Sequence, residues 1–248
     1  MRYFLQFSYH GKNYFGYQIQ PNDISVQEVL EEALSTILQQ KVKITAAGRT
    51  DTGVHAKKMF AHFDAELNLE KKLIHQLNSF LPPDIAVQDL FAVNEDFHAR
   101  FDATFRTYQY HISLEKNPFT EDSSWQLWRR ILDVNRMNEA SKILLEYSDF
   151  TSFSKVNTET KTNICRISTA NWELQNNELI FTITADRFLR NMVRAIVGTL
   201  VEIGAGKYEP AYLKKIIEDL NRCSAGTSAP AKGLFLVDVG YNWEDKRR

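Results

Sequence analysis

Two kinds of hydrophobic pattern alternate along the first half of the chain. Apolar residues at every second position, typical of a half-buried strand, occupy residues 3–9, 42–46 and 58–63. Apolar residues at helical spacing follow Ser25, and Glu28 three positions later predicts a capping box at the start of that helix. The same criteria predict further elements in this half, namely a helix at 69–80 and strands at 85–93 and 104–114.

A connection with aromatic residues at 116–135 separates these elements from a second set. The second set contains, in order, a helix at 137–147, strands at 165–174 and 179–184, helices at 188–203 and 212–220, and a strand at 233–239. Strands and helices are mixed in both parts, which predicts an α+β fold. The chain is long enough for one large core or two smaller ones, and we assign two α/β domains, residues 1–104 and 105–248.

The loop with the sequence AGRTDTGVHA is a polar connection between two predicted strands. Its two glycines, Gly48 and Gly53, are expected to adopt backbone angles that other residues avoid. Asp51 lies between them, two residues from Arg49, and His55 follows in the same loop. An aspartate beside a glycine is often only a turn residue. Three ionisable groups between two apolar strands nevertheless favour a reactive site.

The tripeptide Asp-Thr-Gly at 51–53 also matches the signature of aspartic proteases. Those enzymes bring two aspartates together so that they share one proton. This sequence has a single copy of the tripeptide, and the neighbouring Arg49 favours an ionised carboxylate over a protonated one. The protease alternative therefore fits poorly.

Three arginines, Arg187, Arg190 and Arg194, are spaced to fall along one side of the helix predicted at 188–203. A solvated helix face is the simplest interpretation. Arg194, however, lies in an apolar stretch, where burial of an unpaired charge is costly. We expect it to have a carboxylate partner, for which Asp51 is a candidate, and we expect the other two arginines to bind phosphates.

Arg106, Tyr108 and Tyr110 share one face of the strand that follows His98 and Arg100. Tyrosines on strands usually pack in the core. An aromatic ring beside a cation is also how proteins stack an unpaired base while holding its phosphate. The pattern is therefore suggestive of an RNA contact.

Composition restricts the classes of function. The 248 residues are 44% hydrophobic with a formal net charge of -1, which excludes a disordered chain and a generically basic nucleic-acid binder, so an RNA site must be a local patch. Cys165 and Cys223 are far apart, and the six histidines lack metal-ligand spacing, so we expect no metal. Neither a signal peptide nor a membrane-spanning run is recognisable, and we expect a cytoplasmic protein.

Six motifs together resemble the bacterial TruA family of tRNA pseudouridine synthases. In chain order they are AGRTDTGVH at 47–55, LPPDI at 81–85, FHARF at 97–101, RTYQY at 106–110, FLRNMVRAIVG at 188–198 and GLFL at 233–236. They run in the family's order over nearly the whole chain. Two departures are Thr52, where the family often has alanine, and Tyr17, where it often has tryptophan.

The resemblance implies the pseudouridine synthase fold, in which two α/β domains with abutting antiparallel or mixed sheets form a central cleft, and it implies a homodimer. It further implies isomerisation of uridine to pseudouridine at positions 38, 39 and 40 of the tRNA anticodon stem-loop, without a cofactor. An RNA-binding protein of the same fold that remodels tRNA is the alternative function.

The resemblance also implies roles for the polar residues. Asp51 acts as a nucleophile or base beside the ribose, Arg194 keeps it ionised, and Tyr108 stacks on the target base and takes part in proton transfer. Arg49 helps to displace the nucleotide from the stem, because the bond to be broken is not reachable inside a stacked helix. Further RNA contacts are expected at His55, His98, Arg100, Arg106, Arg187 and Arg190.

Overall fold

The computed structural model describes residues 1–66, 69–155 and 162–244. The chain forms two compact units, Met1–Thr104 together with Leu236–Arg248, and Phe105–Phe235. Both units mix helices with strands, so the α+β class predicted from the sequence is confirmed. No helix in the described ranges is both long enough and apolar enough to cross a membrane.

The first unit is built on an antiparallel sheet. Its elements in chain order are β1 (Arg2–Tyr9), α1 (Val26–Leu38), β2 (Thr45–Ala46), β3 (His55–Asp64), α2 (Lys72–Phe80) and β4 (Ile85–Val93). β1 pairs with both β3 and β4, so it is an inner strand. α2 packs against β4 and against α1. The predicted elements at 3–9, 69–80 and 85–93 are thus present, although α2 begins at Lys72.

An aromatic cluster buries one face of this sheet. The Phe4 ring is stacked on Phe97 with centroids 4.8 Å apart, and it meets Tyr241 and Trp243 edge-on. Phe60 contacts the same two residues. Met59, Ala61 and Phe63, on the other face of the strand, are buried as well, whereas the sequence predicted a strand with one polar face.

The second unit contains a second antiparallel arrangement of strands. Its elements are β5 (Ala103–Ser113), β6 (Trp125–Gln126), α3 (Val134–Ile143), β7 (Ile167–Gln175), β8 (Glu178–Ala185), α4 (Met192–Gly204) and α5 (Tyr212–Glu218). β8 pairs with β5 and with β7, and β6 runs parallel to β5 within the segment predicted as a connection. α3 packs against α4 and β7. Asn176 and Asn177 both have positive φ and close the predicted hairpin between β7 and β8.

The last strand, β9 (Leu234–Tyr241), returns to the first unit. It pairs with β3, and residues from Leu236 onward group with that unit. The domain predicted at 105–248 includes this strand, so its boundary differs from that of the compact unit. Whether 1–104 and 105–248 fold as separate domains stays a prediction.

The strand predicted at 42–46 is shortened to β2 by contacts with α1. Glu31 of α1, which is 6% exposed, accepts the N–H of Ile44 (3.1 Å) and the ammonium of Lys43 (2.7 Å). The N–H of Val42 donates to Ser35 Oγ (2.9 Å). Because α1 side chains accept hydrogen bonds from these groups, Thr45 and Ala46 are the part of the segment 42–46 that pairs with β3.

We expect Glu31→Ala to destabilise the first unit, because it leaves the N–H of Ile44 without its acceptor and removes the partner of Lys43. The free energy of unfolding should fall by about 1–3 kcal/mol in chemical denaturation. The neighbouring Glu32 is exposed on the same helix, and Glu32→Ala should change it by less than about 0.5 kcal/mol. Equal losses in the two variants would contradict this role for Glu31.

Candidate active site

The backbone on both sides of Asp51 is fixed within the first unit. The N–H of Tyr17 donates to the carbonyl of Thr50 (3.2 Å), and the N–H of Val54 donates to the carbonyl of Asp51 (3.1 Å). Both peptide planes that meet at the Cα of Asp51 are therefore hydrogen-bonded. Asp51 itself is half-buried, and Arg49, two residues before it, is exposed.

The loop depends on glycines at Gly53 and Gly16. Gly53 has φ 77°, as expected for a glycine that closes the turn after Asp51. The same expectation is wrong for Gly48, which has no positive φ and has open space where a Cβ would lie. Gly16 instead has φ 92°, and a Cβ there would lie 2.6 Å from the carbonyl oxygen of Thr50.

His55 lies behind the loop, as the first residue of β3 rather than as a loop residue. It is 1% exposed, its Nδ1 accepts the N–H of Gly11 (3.0 Å), and its ring centroid is 4.2 Å from that of His10. These contacts fit a residue that supports the loop. A direct contact between His55 and a substrate stays a prediction.

His98 and Arg100 lie in the segment after β4. His98 Nδ1 accepts the N–H groups of Arg100 (3.1 Å) and Phe101 (3.3 Å), which requires an unprotonated Nδ1. Burial, followed by the charge of Arg2, lowers the pKa of His98 below its usual value. His98 therefore offers a neutral donor near neutral pH, whereas Arg100 is exposed and positively charged.

Arg106 and Tyr108 lie on β5 in the second unit, on the same face of the strand. The Tyr108 ring is half-buried and meets Phe188 edge-on, with centroids 5.1 Å apart and planes at 90°. The Arg106 guanidinium donates to the carbonyl of Asp186 (2.8 Å). Tyr108 and Arg106 are therefore both held by the segment that joins β8 to α4.

Arg194 lies in the first turn of α4 and is tied to Ala229 twice. Its Nε donates to the Ala229 carbonyl (2.7 Å), and its own carbonyl accepts the Ala229 N–H (2.9 Å). The hydroxyl of Tyr110 donates a hydrogen bond to the next carbonyl, that of Pro230 (2.8 Å). Burial raises the pKa of Tyr110, and the charge of Arg194 opposes that rise. The carboxylate partner expected for Arg194, Asp51, stays a prediction.

Arg187 and Arg190 do not lie on α4, which corrects the prediction that all three arginines line one helix face. Asn191 has φ 66°, so the helix begins only at Met192 and both arginines precede it. The guanidinium of Arg187 donates to the carbonyl of Thr162 (3.4 Å), and the carbonyl of Arg190 accepts the N–H of Lys155 (3.1 Å). Their binding to phosphates stays a prediction.

Two contacts that help to position Asp51 and Arg194 were not predicted from the sequence. Tyr9, on β1, contacts Thr50 through its hydroxyl at 2.8 Å, across 41 positions of the chain. Ala229 lies in a segment so close to α4 that a Cβ on Gly198 would meet Thr227 O at 1.8 Å. Gly198 was the only signal in the sequence for the second contact, and the first has none, because a tyrosine on a strand looks like any core residue.

A sequence profile of the tRNA pseudouridine synthase family matches residues 6–102 and 140–242 of the chain. The two matched segments carry the Asp51 loop and the start of α4. The chain therefore belongs to the tRNA pseudouridine synthase family, whose members are isomerases. This result confirms the resemblance drawn from the six motifs and the predicted class of enzyme.

Three similar proteins are each named tRNA pseudouridine synthase A. The protein from Bacteroides thetaiotaomicron is 54% identical over 244 residues, which cover 97% of this chain and 90% of the relative. The one from Bacteroides fragilis is 53% identical over 247 residues, with coverage of 98% and 97%. The one from Bacillus pumilus is 41% identical over 240 residues, with coverage of 95% and 97%.

We expect the protonation of His62, which lies beneath His98 with ring centroids 4.6 Å apart, to make stability depend on pH. Burial, then the charges of Arg2 and His98, lowers the pKa of His62 from 6.5 to about 4. Below pH 6.5 the unfolded chain binds a proton that the folded chain does not. Stability from this source is complete above that pH and is lost as the pH falls towards about 4.

Chemical denaturation of wild type and His62→Gln at about pH 7 and about pH 5 measures this contribution. The fall in the free energy of unfolding from the higher to the lower pH should be about 1–2 kcal/mol larger in the wild type than in the variant. His75 is exposed on α2, so His75→Gln should leave the pH dependence unchanged. If His62→Gln had the same pH dependence as the wild type, His62 would not be the group responsible.

Proposed function

We propose that this protein isomerises uridine to pseudouridine at positions 38, 39 and 40 of the tRNA anticodon stem-loop, with Asp51 as the reactive group and without a cofactor. Membership of the family and the names of the close relatives support the reaction. The motif resemblance supports the positions. The observation that carries the role of Asp51 is that both peptide planes at its Cα are hydrogen-bonded.

The chemistry needs a single well-placed carboxylate. The bond between C1′ and N1 of the uridine breaks, a bond between C1′ and C5 forms, C5 loses its proton and N1 gains one. A carboxylate can attack C1′, attack the base, or remove a proton from the ribose so that the bond is broken by elimination. All three routes start from ionised Asp51.

Residues of both units have proposed roles in the reaction. Arg194 supplies the cation that keeps Asp51 ionised, a role that suits a guanidinium whose Nε is already fixed on Ala229. Tyr108 stacks on the target base and takes part in proton transfer. Arg49, exposed on the loop, enters the stem as the nucleotide leaves it, because the bond to C1′ is inaccessible in a stacked helix.

The remaining proposed contacts are with the RNA backbone. They involve His55, His98, Arg100, Arg106, Arg187 and Arg190. Of these, Arg100 and Arg190 are exposed, and the half-buried Arg106 and Arg187 are oriented by hydrogen bonds to main-chain carbonyls. Localised arginines allow a chain with a formal net charge of -1 to bind RNA. The protein is proposed to act as a homodimer in the cytoplasm, where its tRNA substrate is found.

We expect Asp51→Asn to abolish the reaction while tRNA binding is kept, because the amide preserves the shape of the side chain but is neither a nucleophile nor a base. Release of tritium from tRNA labelled at C5 of uridine measures turnover, and gel mobility shift measures affinity. The rate should fall by at least about 10³-fold.

Asp219→Asn is the matched control, because it removes one exposed negative charge in the second unit. It should keep both rate and affinity. Turnover retained in Asp51→Asn would contradict the assignment. A wild-type protein that remodels tRNA without forming pseudouridine would instead favour the alternative of an RNA-remodelling protein.

We expect Tyr108→Phe to lose chemistry and keep affinity, because the stacking ring remains but the hydroxyl is removed. The single-turnover rate should fall by about 10²-fold, a typical contribution of a proton-transfer group. Tyr108→Ala, which removes the ring as well, should also weaken tRNA binding by about 1–3 kcal/mol. A loss of affinity in Tyr108→Phe equal to that in Tyr108→Ala would show that the hydroxyl binds the RNA.

A further inference from the structure

The Thr50 side chain is held by a buried hydrogen bond that the proposed reaction does not use. Its Oγ1 lies 2.8 Å from the hydroxyl of Tyr9, and the two residues are only 8% and 4% exposed. Thr50 immediately precedes Asp51, whereas Tyr9 is 41 positions away on β1. The bond therefore joins the reactive loop to the sheet.

Tyr9 is itself a rigid support. It is the last residue of β1 and has partners on both neighbouring strands, Ala56 on β3 and Ile85 on β4. Its ring is stacked on Phe7, with centroids 6.1 Å apart. A hydroxyl carried by a side chain fixed in this way loses little entropy when it bonds, so it can define the position of its partner.

The carbonyl of Thr50 is fixed from a second direction. It accepts the N–H of Tyr17 at 3.2 Å, and the Cα of Gly16 lies so close that a Cβ there would be 2.6 Å from the same oxygen. Side chain and main chain of Thr50 are thus both held. The position of the next Cα, that of Asp51, follows from these contacts.

We propose that Tyr9 and Thr50 are positioning residues for Asp51, with Gly16 as the surface against which the Thr50 carbonyl rests. This inference rests on the proposed role of Asp51 in the reaction. Reactive groups must be held within about 0.5 Å of the productive geometry, and a displacement of about 1 Å can cost about 10²-fold in rate. The contacts of Thr50 with Tyr9, Tyr17 and Gly16 would meet that requirement within the first unit.

A double-mutant cycle on the single-turnover rate of pseudouridine formation, measured with saturating enzyme, tests the proposal. Tyr9→Phe and Thr50→Val should each lower the rate by about tenfold, since either removes the hydrogen bond between these two side chains. The double variant should be no slower than the slower single variant, because both remove the same bond. Affinity for tRNA should stay within about twofold of the wild type.

Conservative variants separate positioning from general stability. Thr50→Ser keeps the hydroxyl and should restore the rate to within about threefold of the wild type. Tyr3→Phe removes another tyrosine hydroxyl from β1, one that accepts the N–H of Leu69 (3.0 Å). Its loss should lower the melting temperature without slowing the reaction, because Tyr3 is remote from the loop in the strand.

A pair of glycine variants tests the contact at Gly16. Gly16→Ala and Gly206→Ala both place a side chain at positive φ, 92° and 80°, but a Cβ at Gly206 meets nothing within 4 Å. Both should therefore lose stability through backbone strain. Only Gly16→Ala should slow the reaction, because only there does the Cβ displace the Thr50 carbonyl.

Unchanged single-turnover rates in Tyr9→Phe and Thr50→Val would overturn the proposal, as would losses that multiply in the double variant or appear only in tRNA affinity. These outcomes are distinct from failure of the proposed function. If the wild type formed no pseudouridine, or if Asp51→Asn kept its turnover, the reaction itself would be wrongly assigned. If the wild type is active and Asp51→Asn is inactive, the proposed function holds. The double-mutant cycle then tests only the positioning role of Tyr9 and Thr50.

Discussion

The hydrogen bonds at Thr50 are the constraint on which the proposed role of Asp51 depends. A carboxylate that attacks carbon or removes a proton must be ionised and must stay in place, yet loops are the most mobile parts of a protein. Here the loop between β2 and β3 is held by the hydroxyl of Tyr9 and the N–H of Tyr17. The rings of Tyr9 and Tyr17 both stack on Phe7 of β1, so the sheet of the first unit supports both groups.

The same design recurs in the second unit with different atoms. Main-chain carbonyls at Ala229 and Pro230 hold Arg194 and Tyr110, and Tyr108 rests against Phe188. The carbonyl of Ala229 orients the guanidinium of Arg194 through a hydrogen bond to its Nε. In each unit, residues without a proposed role in the reaction determine where the candidate side chains lie.

Structural features that rest on residues close together in the chain were the ones that the sequence could predict. The Ser25 cap of α1 and the hairpin at Asn176 and Asn177 rest on neighbouring residues, and both were predictable from local sequence. The start of α4 was not, because a left-handed Asn191 interrupts an apolar pattern that continues through it. Because the helix begins after Asn191, Arg187 and Arg190 precede it.

Two contacts between distant segments of the first unit carried no sequence signal. Glu31 shortens β2 from 13 positions away, and Tyr9 reaches Thr50 across 41. Side chains of ordinary type make these bonds, so only the folded chain identifies them. Asp51 was a candidate from the sequence alone, since an aspartate flanked by arginine and glycine between apolar strands is unusual. Its role in the reaction stays a prediction.

The most direct test of the account is a map of pseudouridine in tRNA from cells that lack this protein. Pseudouridine should be lost at positions 38, 39 and 40 and kept elsewhere, and a plasmid carrying the wild-type gene should restore it while one carrying Asp51→Asn should not. Pseudouridine retained at all three positions in the deletion strain, or restored by the Asp51→Asn gene, would contradict it.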